Sequence, residues 1–82
     1  MRILVVEDED RIARFIKVGL EEESYAVDVV ADGPAALDWV ASANYDLILL
    51  DVMLPGLNGF EVAHLLRNRG VTSPILMLTA RD

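Results

Sequence analysis

The chain has 82 residues, of which 54% are apolar and 26% are charged, and its formal net charge is −7. This length allows one small domain, and the acidic balance argues against direct nucleic-acid binding by these residues, because neutralising phosphates requires a basic surface. The absence of cysteine from the sequence excludes disulfides and thiolate metal sites.

The first apolar run, residues 3–6, is followed at once by four acidic residues, 7–10. A run without polar alternation is typical of a strand that is buried on both faces, so we predict a strand that leads into an acidic loop. Because the run is too short for a signal peptide or a membrane span, we expect a cytoplasmic protein without membrane contact.

Three helices are predicted between the strands. The first begins after Asp10 as its N-cap and carries an amphipathic stripe with the spacing i, i+3, i+4, i+7 and i+8. That stripe consists of Ile12, Phe15, Ile16, Gly19 and Leu20. A second helix opens at residues 32–34, with proline in its first turn. Asn58 and Glu61 form a capping-box pattern at the start of a third helix, which Gly70 ends.

The strongest strand signal lies at residues 47–50, four aliphatic residues that lead directly into Asp51. Pro55 and Gly56 predict a turn shortly afterwards. An acid at the carboxyl end of a buried strand occupies the place where open α/β sheets bind ligands. Two other strands are predicted: residues 25–30, which partly alternate and favour an edge position, and residues 75–78, a further buried run that ends at Thr79.

The resulting order, β-α-β-α-β-α-β, predicts an α/β fold with a doubly wound parallel sheet. Right-handed crossovers leave few topologies, and we favour the strand order 2-1-3-4. This order creates a switch point between the first and third strands, where ligands bind in such sheets. It would bring Glu7, Asp8 and Asp51 together in one crevice.

Three neighbouring carboxylates repel one another unless a cation lies among them. Oxygen ligands in an open site favour Mg²⁺, and a carboxylate beside Mg²⁺ can act as a nucleophile on phosphorus. The hydroxyl of Thr79 would then contact a phosphoryl oxygen. Simpler interpretations exist: Glu9 and Asp10 are better explained as helix-capping acids, Thr79 could be an ordinary strand end, and glycines 56 and 59 could serve turn geometry only.

The sequence resembles the receiver domain of two-component response regulators, over the whole chain and in several separated motifs. The motifs are residues 3–9, residues 46–56, Asn58-Gly59 and Leu78-Thr79-Ala80. The residues of these motifs are most similar to those of the subfamily whose receivers precede a winged-helix DNA-binding domain. The resemblance implies a flavodoxin-like (CheY-like) fold.

The resemblance to that family implies that Asp51 accepts a phosphoryl group from a sensor histidine kinase. It also implies that Mg²⁺ is bound by Glu7, Asp8, Asp51 and the backbone carbonyl of Met53, and that Thr79 is the switch residue. Pro55, Gly56 and Gly59 would shape the loop beside the site. No independent enzymatic turnover is expected of such a domain.

The sequence departs from the family pattern after the fourth strand. A complete receiver has about one helix, one strand and one helix more, including a lysine that binds the phosphoryl group. We therefore expect residues 1–82 to be a truncated receiver domain, impaired in phosphorylation. The exposed edge of the fourth strand and the uncovered sheet are expected to cause homodimerisation or higher self-association.

Two other functions remain open at this point. One is a phosphatase or phosphotransferase with an aspartate nucleophile, although such enzymes commonly carry a second acid two residues later, where this chain has Met53. The other is an interaction module in which the acids are inert. Nucleotide binding is disfavoured, because the sequence has no glycine-rich phosphate loop.

Overall fold

The computed structural model describes residues 1–79 and confirms the predicted alternation of strands and helices. The elements are β1 (Arg2–Val6), α1 (Asp10–Glu22), β2 (Ala26–Val30), α2 (Gly33–Ser42), β3 (Leu47–Asp51), α3 (Gly59–Asn68) and β4 (Ile75–Leu78). None of the helices within residues 1–79 has the length and apolar character needed to cross a membrane.

The four strands form one parallel sheet in the order β2-β1-β3-β4, as predicted. In its register, Val6 lies beside Leu50, and Asp51 lies beside Leu78. Because β1 and β3 are neighbours that run in the same direction, the loops that follow them leave the same edge of the sheet. The fold thereby creates the predicted switch point.

The two central strands, β1 and β3, have no polar alternation, because both faces of the sheet are covered there. Leu4 and Val6 of β1 pack with residues of α2 and α3, whereas Ile3 and Val5 pack on the other face, towards α1. All four side chains are completely buried. This two-sided burial explains the continuous apolar runs of β1 and β3.

Two helix starts follow the sequence prediction closely. The side chain of Asp32 accepts a hydrogen bond from the Ala35 amide at 2.8 Å, and a proline occupies the first turn of α2. At α3, the capping box is complete: Asn58 Oδ1 accepts the Glu61 amide at 2.9 Å, and Glu61 Oε1 accepts the Asn58 amide at 3.0 Å. Local side-chain chemistry decides both starts.

Three predictions for individual elements were wrong. Helix α1 begins at Asp10 instead of being capped by it, and Glu9 occupies the N-cap without a side-chain capping bond. Phe15 is 82% exposed and lies outside the buried stripe, which contains Ala13 instead. Strand β4, predicted to be a buried run, has no fully buried residue, although its place at the edge of the sheet within residues 1–79 agrees with the predicted strand order.

Candidate functional site

Three carboxylates meet at the carboxyl ends of β1 and β3. Glu7 and Asp8 follow β1 directly, and Asp51 is the last residue of β3. One carboxylate oxygen from each of the three lies within 4.8 Å of the others. Glu7 and Asp51 are only 4% and 3% exposed, whereas Asp8 is open to solvent. The structure therefore brings together the three acids that the topology predicted.

Backbone hydrogen bonds fix the orientation of Glu7. Its amide donates to the Val30 carbonyl at 3.0 Å, which extends the β1–β2 ladder one residue past the strand. Its carboxylate accepts the amide of Glu9 at 3.0 Å through Oε2. The chain turns tightly over the carboxylate as a result, and the side chain of Glu7 stays buried while Asp8 faces solvent.

Asp51 is held in a comparable way at the end of β3. Its Oδ1 accepts the Met53 amide at 3.1 Å, and the following residue, Val52, donates its amide to Leu78 of β4 at 2.9 Å. The backbone around Asp51 is thus bound to a neighbouring strand, and its carboxylate is bound to the loop that follows. A carboxylate fixed by its surroundings is preorganised for either metal binding or nucleophilic attack.

The cluster is electrostatically unfavourable when all three acids are ionised. Burial raises the pKa of Glu7, and the negative charges of Asp51 and Asp8 raise it further. The hydrogen bond from the Glu9 amide opposes this shift but does not cancel it. A divalent cation would remove the repulsion.

The donor atoms of the cluster suit a hard divalent cation. They are carboxylate oxygens only, and the exposed position of Asp8 leaves room for water molecules as further ligands. Mg²⁺ binds through one or a few carboxylates and keeps several waters, so this open oxygen site fits it. The residues present are therefore compatible with the predicted metal.

The loop after Asp51 fits part of the expectation for its residues. Gly56 has a φ of +74°, which glycine adopts without steric cost, so its predicted role in the turn fits its backbone conformation. The side chain of Met53 is 53% exposed. Its amide bonds to Asp51, and the role of its carbonyl in metal binding stays a prediction. Pro55 is exposed in the same loop.

The part played by Gly59 was missed by the sequence reasoning. Gly59 is the first residue of α3, not a loop residue, and its amide donates to the Val52 carbonyl at 2.9 Å. A Cβ at this position would lie 2.8 Å from Cα of Val52 and even closer to the carbonyl oxygen of Asp51. Glycine is needed here because the helix start touches the backbone of the site. The capping box marks the helix start, but no sequence signal shows this approach.

Thr79 follows β4 at the same edge of the sheet. Because Leu78 pairs with Asp51 in the parallel register, Thr79 comes directly after the residue that lies beside the central carboxylate. Thr79 is exposed, and its predicted switch role stays a prediction. Ala80, which completes the quoted motif, lies outside the described residues.

Comparison with known proteins gives the family. Residues 3–82 match the response regulator receiver domain. The chain is 50% identical over 80 residues to the uncharacterized transcriptional regulatory protein YkoG of Bacillus subtilis, and 52% identical over 81 residues to the transcriptional regulatory protein TcrA of Mycobacterium tuberculosis. The matches cover 98% and 99% of this chain, but only 35% and 32% of those proteins.

Solved structures agree with this result. The response regulator TrrA of Thermotoga maritima, solved in complex with Mg²⁺-BeF, is 43% identical with a TM-score of 0.92, and the match covers 99% of this chain and 70% of that one. The receiver domain of the Francisella response regulator 1452 is 37% identical, also with a TM-score of 0.92, and the shares are 99% and 67%. The chain belongs to the response regulator receiver domain family.

Proposed function

We propose that Asp51 is the phosphoacceptor of this receiver domain and takes its phosphoryl group from the phosphohistidine of a sensor histidine kinase. The observation that carries the proposal is the position of Asp51: it is buried at the end of a central strand, within a cluster of three carboxylates. The structural neighbour solved with Mg²⁺-BeF supports the same chemistry for this chain.

In the proposed step, an Asp51 oxygen forms a bond to phosphorus while the phosphorus–nitrogen bond of phosphohistidine breaks. The electron pair of that bond returns to the imidazole nitrogen of the kinase. The hydrogen bond from the Met53 amide holds the carboxylate in one orientation during the attack. Phosphoryl transfer depends mainly on such positioning and on neutralisation of charge.

Glu7, Asp8, Asp51 and the carbonyl of Met53 would hold Mg²⁺ beside the acceptor. When bound, the ion would neutralise the negative charge of the carboxylates and of the transferring phosphoryl group. The hydroxyl of Thr79 would donate a hydrogen bond to a phosphoryl oxygen, which makes it the residue through which phosphorylation changes the adjoining surface.

The relatives support an output role for the whole protein. YkoG and TcrA are named as transcriptional regulatory proteins, and this chain spans about a third of their length. We infer that the complete regulator controls transcription through a DNA-binding domain outside these residues. The net charge of −7 agrees with a chain that leaves the DNA contact to another domain.

Magnesium titration followed by NMR of the backbone amides tests the metal site. We expect saturable shifts at the amides that follow β1 and β3. Asp51→Asn should weaken Mg²⁺ binding by more than about tenfold. Loss of a residue that only hydrogen-bonds to a metal ligand already costs roughly tenfold in affinity. Asp38→Asn, the same change at an exposed position of α2, is the control and should bind Mg²⁺ like the parent chain. Equal affinity in both variants would refute the assignment and favour the inert-module alternative.

Labelling with a small acyl phosphate tests the acceptor itself. The added phosphoryl group should map to Asp51 by peptide mass analysis, require Mg²⁺, and disappear in Asp51→Asn. A label on another carboxylate would contradict the proposal. Continuous hydrolysis of a phosphomonoester would instead support the enzyme alternative. The sequence argues against that alternative, because Met53 stands where such enzymes commonly carry a second acid.

A further inference from the structure

The pair Asn58-Gly59 at the start of α3 carries chemistry that phosphoryl transfer does not use. An asparagine followed by glycine is prone to deamidation, because glycine has no side chain to shield its nitrogen from the asparagine carboxamide. Asn58 is exposed, so water reaches it. The other two asparagines of the sequence, Asn44 and Asn68, precede tyrosine and arginine, whose side chains crowd the same position. Asn58 is therefore the asparagine with the most permissive neighbour.

The fold holds the two reacting groups of this pair apart. The Gly59 amide donates to the Val52 carbonyl at 2.9 Å, which keeps its nitrogen against the backbone that follows β3. Oδ1 of Asn58 accepts the Glu61 amide at 2.9 Å, which turns the carboxamide towards the first turn of α3. A ring between the Gly59 nitrogen and Cγ of Asn58 also needs that nitrogen to eclipse Cβ, and the ψ of 170° at Asn58 prevents this. The closed helix start is therefore unreactive.

We propose that Asn58 is a deamidation site that the start of α3 protects, and that the reaction proceeds only when this helix start opens. The open state lacks three hydrogen bonds: the bond from Gly59 to Val52, and the two bonds of the capping box between Asn58 and Glu61. Helix ends open locally at a lower free energy than the whole domain unfolds. This covalent change needs no metal and no phosphoryl group, so it is independent of the function proposed for Asp51.

The reaction consumes only water. In the open state, the Gly59 nitrogen forms a bond to Cγ of Asn58, and the side-chain amino group leaves as ammonia with the proton of the Gly59 amide. Water then adds to one of the two carbonyls of the resulting succinimide ring and breaks the bond of that carbonyl to nitrogen. Cleavage at Cγ gives aspartate, and cleavage at the former backbone carbonyl gives isoaspartate, whose main chain runs through Cβ.

The two products differ in their effect on the neighbouring loop. Aspartate is as good an N-cap as asparagine, and its negative charge is favourable at the start of a helix. Isoaspartate inserts one more carbon into the main chain directly before Gly59. Because a Cβ on Gly59 would lie only 2.8 Å from Cα of Val52, the longer main chain displaces this contact. The isoaspartate form therefore loosens the loop whose Met53 amide binds the carboxylate of Asp51.

Ageing of the 82-residue chain in mildly alkaline buffer, followed by peptide mass analysis, is the first test. In urea, we expect Asn58 to deamidate fastest of the three asparagines. In the folded chain its deamidation should be slower by about tenfold or more, as for a helix start that is closed most of the time. A peptide of residues 54–63, aged with and without urea, corrects for any effect of urea on the chemistry. Equal rates in the folded and unfolded chains would overturn the proposal, and so would faster deamidation of Asn44 or Asn68 in urea.

Hydrogen exchange of the Gly59 amide measures the same opening without a variant. Exchange requires the bond to Val52 to break, so the protection of this amide should match the protection of Asn58 against deamidation. Deamidation much faster than this opening allows would show that the closed state reacts, which contradicts the proposal. Deamidation protected far more strongly than exchange would tie the reaction to global unfolding and contradict it as well.

Variants of the capping box test the protection directly. Glu61→Ala removes the acceptor of the Asn58 amide and should speed deamidation of the folded chain by about two- to tenfold, the effect of one lost hydrogen bond. Glu61→Gln keeps an acceptor oxygen and should restore a rate close to that of the parent chain. Glu22→Ala, at an exposed position of α1, is the matched control and should leave the rate unchanged. Equal acceleration in Glu61→Ala and Glu22→Ala would refute local protection by the helix start.

NMR of the two products tests the effect on the loop. The Asn58→Asp variant stands for the aspartate product, and its Met53 amide should keep the chemical shift of the parent chain. The isoaspartate form, separated from the aged chain by chromatography, should show shifted amides at Val52 and Met53, because the contact at Gly59 is displaced. Unchanged amide shifts in the isoaspartate form would contradict the proposed loosening of the loop.

Discussion

Glu7 is a carboxylate that the fold buries beside two others, and this burial has an energetic cost. Because its pKa in the folded chain lies above the ordinary value of 4.5, the folded state binds a proton more tightly than the unfolded state. The free energy of unfolding therefore falls as the pH rises from 4.5 through the folded pKa, and the loss is complete above it. At neutral pH without metal, the ionisation of Glu7 therefore lowers the free energy of unfolding.

This cost predicts a stabilising substitution. In the absence of divalent ions, we expect Glu7→Gln to raise the free energy of unfolding at pH 7 by about 1 kcal/mol, and the gain should vanish near pH 4. Urea denaturation at the two pH values measures it. Glu22→Gln, at an exposed position of α1, controls for net charge and should change little. A Glu7→Gln variant less stable than the parent at pH 7 would show that the carboxylate is favourably placed.

In the middle of the edge strand β2, Asp28 is stabilised in its ionised form. Its Oδ2 accepts the Tyr45 hydroxyl at 2.7 Å and the Arg2 guanidinium at 3.1 Å. The hydrogen bond from the Tyr45 hydroxyl is the main reason that the pKa of Asp28 is lowered. Burial is the main reason that the pKa of Tyr45 is raised to about 12. A lowered carboxyl pKa adds stability above pH 3.8, which is lost as the pH falls through the folded pKa.

We therefore expect Tyr45→Phe to lower the free energy of unfolding by about 1.5–3 kcal/mol at pH 7, the range for a hydrogen bond to a charged group. The difference from the parent chain should shrink below pH 3.8, and NMR titration should show a higher pKa for the Asp28 carboxyl in the variant. Tyr25→Phe is the matched control, because the Tyr25 hydroxyl makes no hydrogen bond within the described residues. An unchanged Asp28 titration in Tyr45→Phe would contradict this account.

At the scale of elements, two glycines in helices should respond in opposite directions to alanine. At Gly59, the start of α3 touches the backbone that follows Asp51, so a methyl group would force the helix away from β3. At Gly19, in the exposed part of α1, a Cβ would meet no atom within 4 Å. The same substitution thus separates close approach from helix propensity.

We expect Gly59→Ala to lower the free energy of unfolding by about 1–3 kcal/mol, the usual cost of overpacking. Gly19→Ala should raise it by about 0.5–1 kcal/mol, because alanine is the better helix former. Thermal denaturation of both variants measures the difference. Equal stability of the two would mean that α3 can shift without cost, and that the contact with the site backbone is not a constraint.

These elements also show what could be predicted from the sequence. The starts of α2 and α3 were predicted because their caps are local: Asp32 and Asn58 bond within their own first turns. The burial of β4 was predicted wrongly because its apolar run describes only its own composition. Whether such a run is covered on both faces depends on its place in the sheet and on the helices above it.

The same limit applies to the site and to α1. The strand order brought Glu7, Asp8 and Asp51 together, and topology could predict this because the carboxyl ends of neighbouring parallel strands coincide. The contact of Gly59 with the backbone arises only when α3 packs against β3. Similarly, Phe15 fits a helical stripe by spacing, but the stripe is wider than the surface that the sheet covers, and its outer side stays exposed.

At the scale of the whole molecule, the distribution of positive charge within these 82 residues bears on how fast they alone could accept a phosphoryl group. Lys17 is the single lysine of the sequence, and it lies on α1 beside the edge strand β2. Its ammonium group is bound to the Val27 carbonyl at 3.0 Å and to Glu21 at 3.1 Å. The family resemblance implies a lysine at the phosphoryl group, and Lys17 is engaged elsewhere.

Phosphoryl acceptance by the 82-residue chain should therefore be slow. Loss of one group that stabilises transition-state charge commonly costs about 10²–10³ in rate. We expect acyl-phosphate labelling of Asp51 to be slower by about that factor than in a receiver that contains the family lysine, measured by intact mass over time with Mg²⁺. Lys17→Gln should leave the rate unchanged, because its ammonium group takes no part. Labelling as fast as in the complete receiver would contradict this prediction and show that the carboxylate-bound cation alone neutralises enough charge for rapid transfer. Slower labelling of Lys17→Gln would show that Lys17 takes part, which requires α1 to move towards the site.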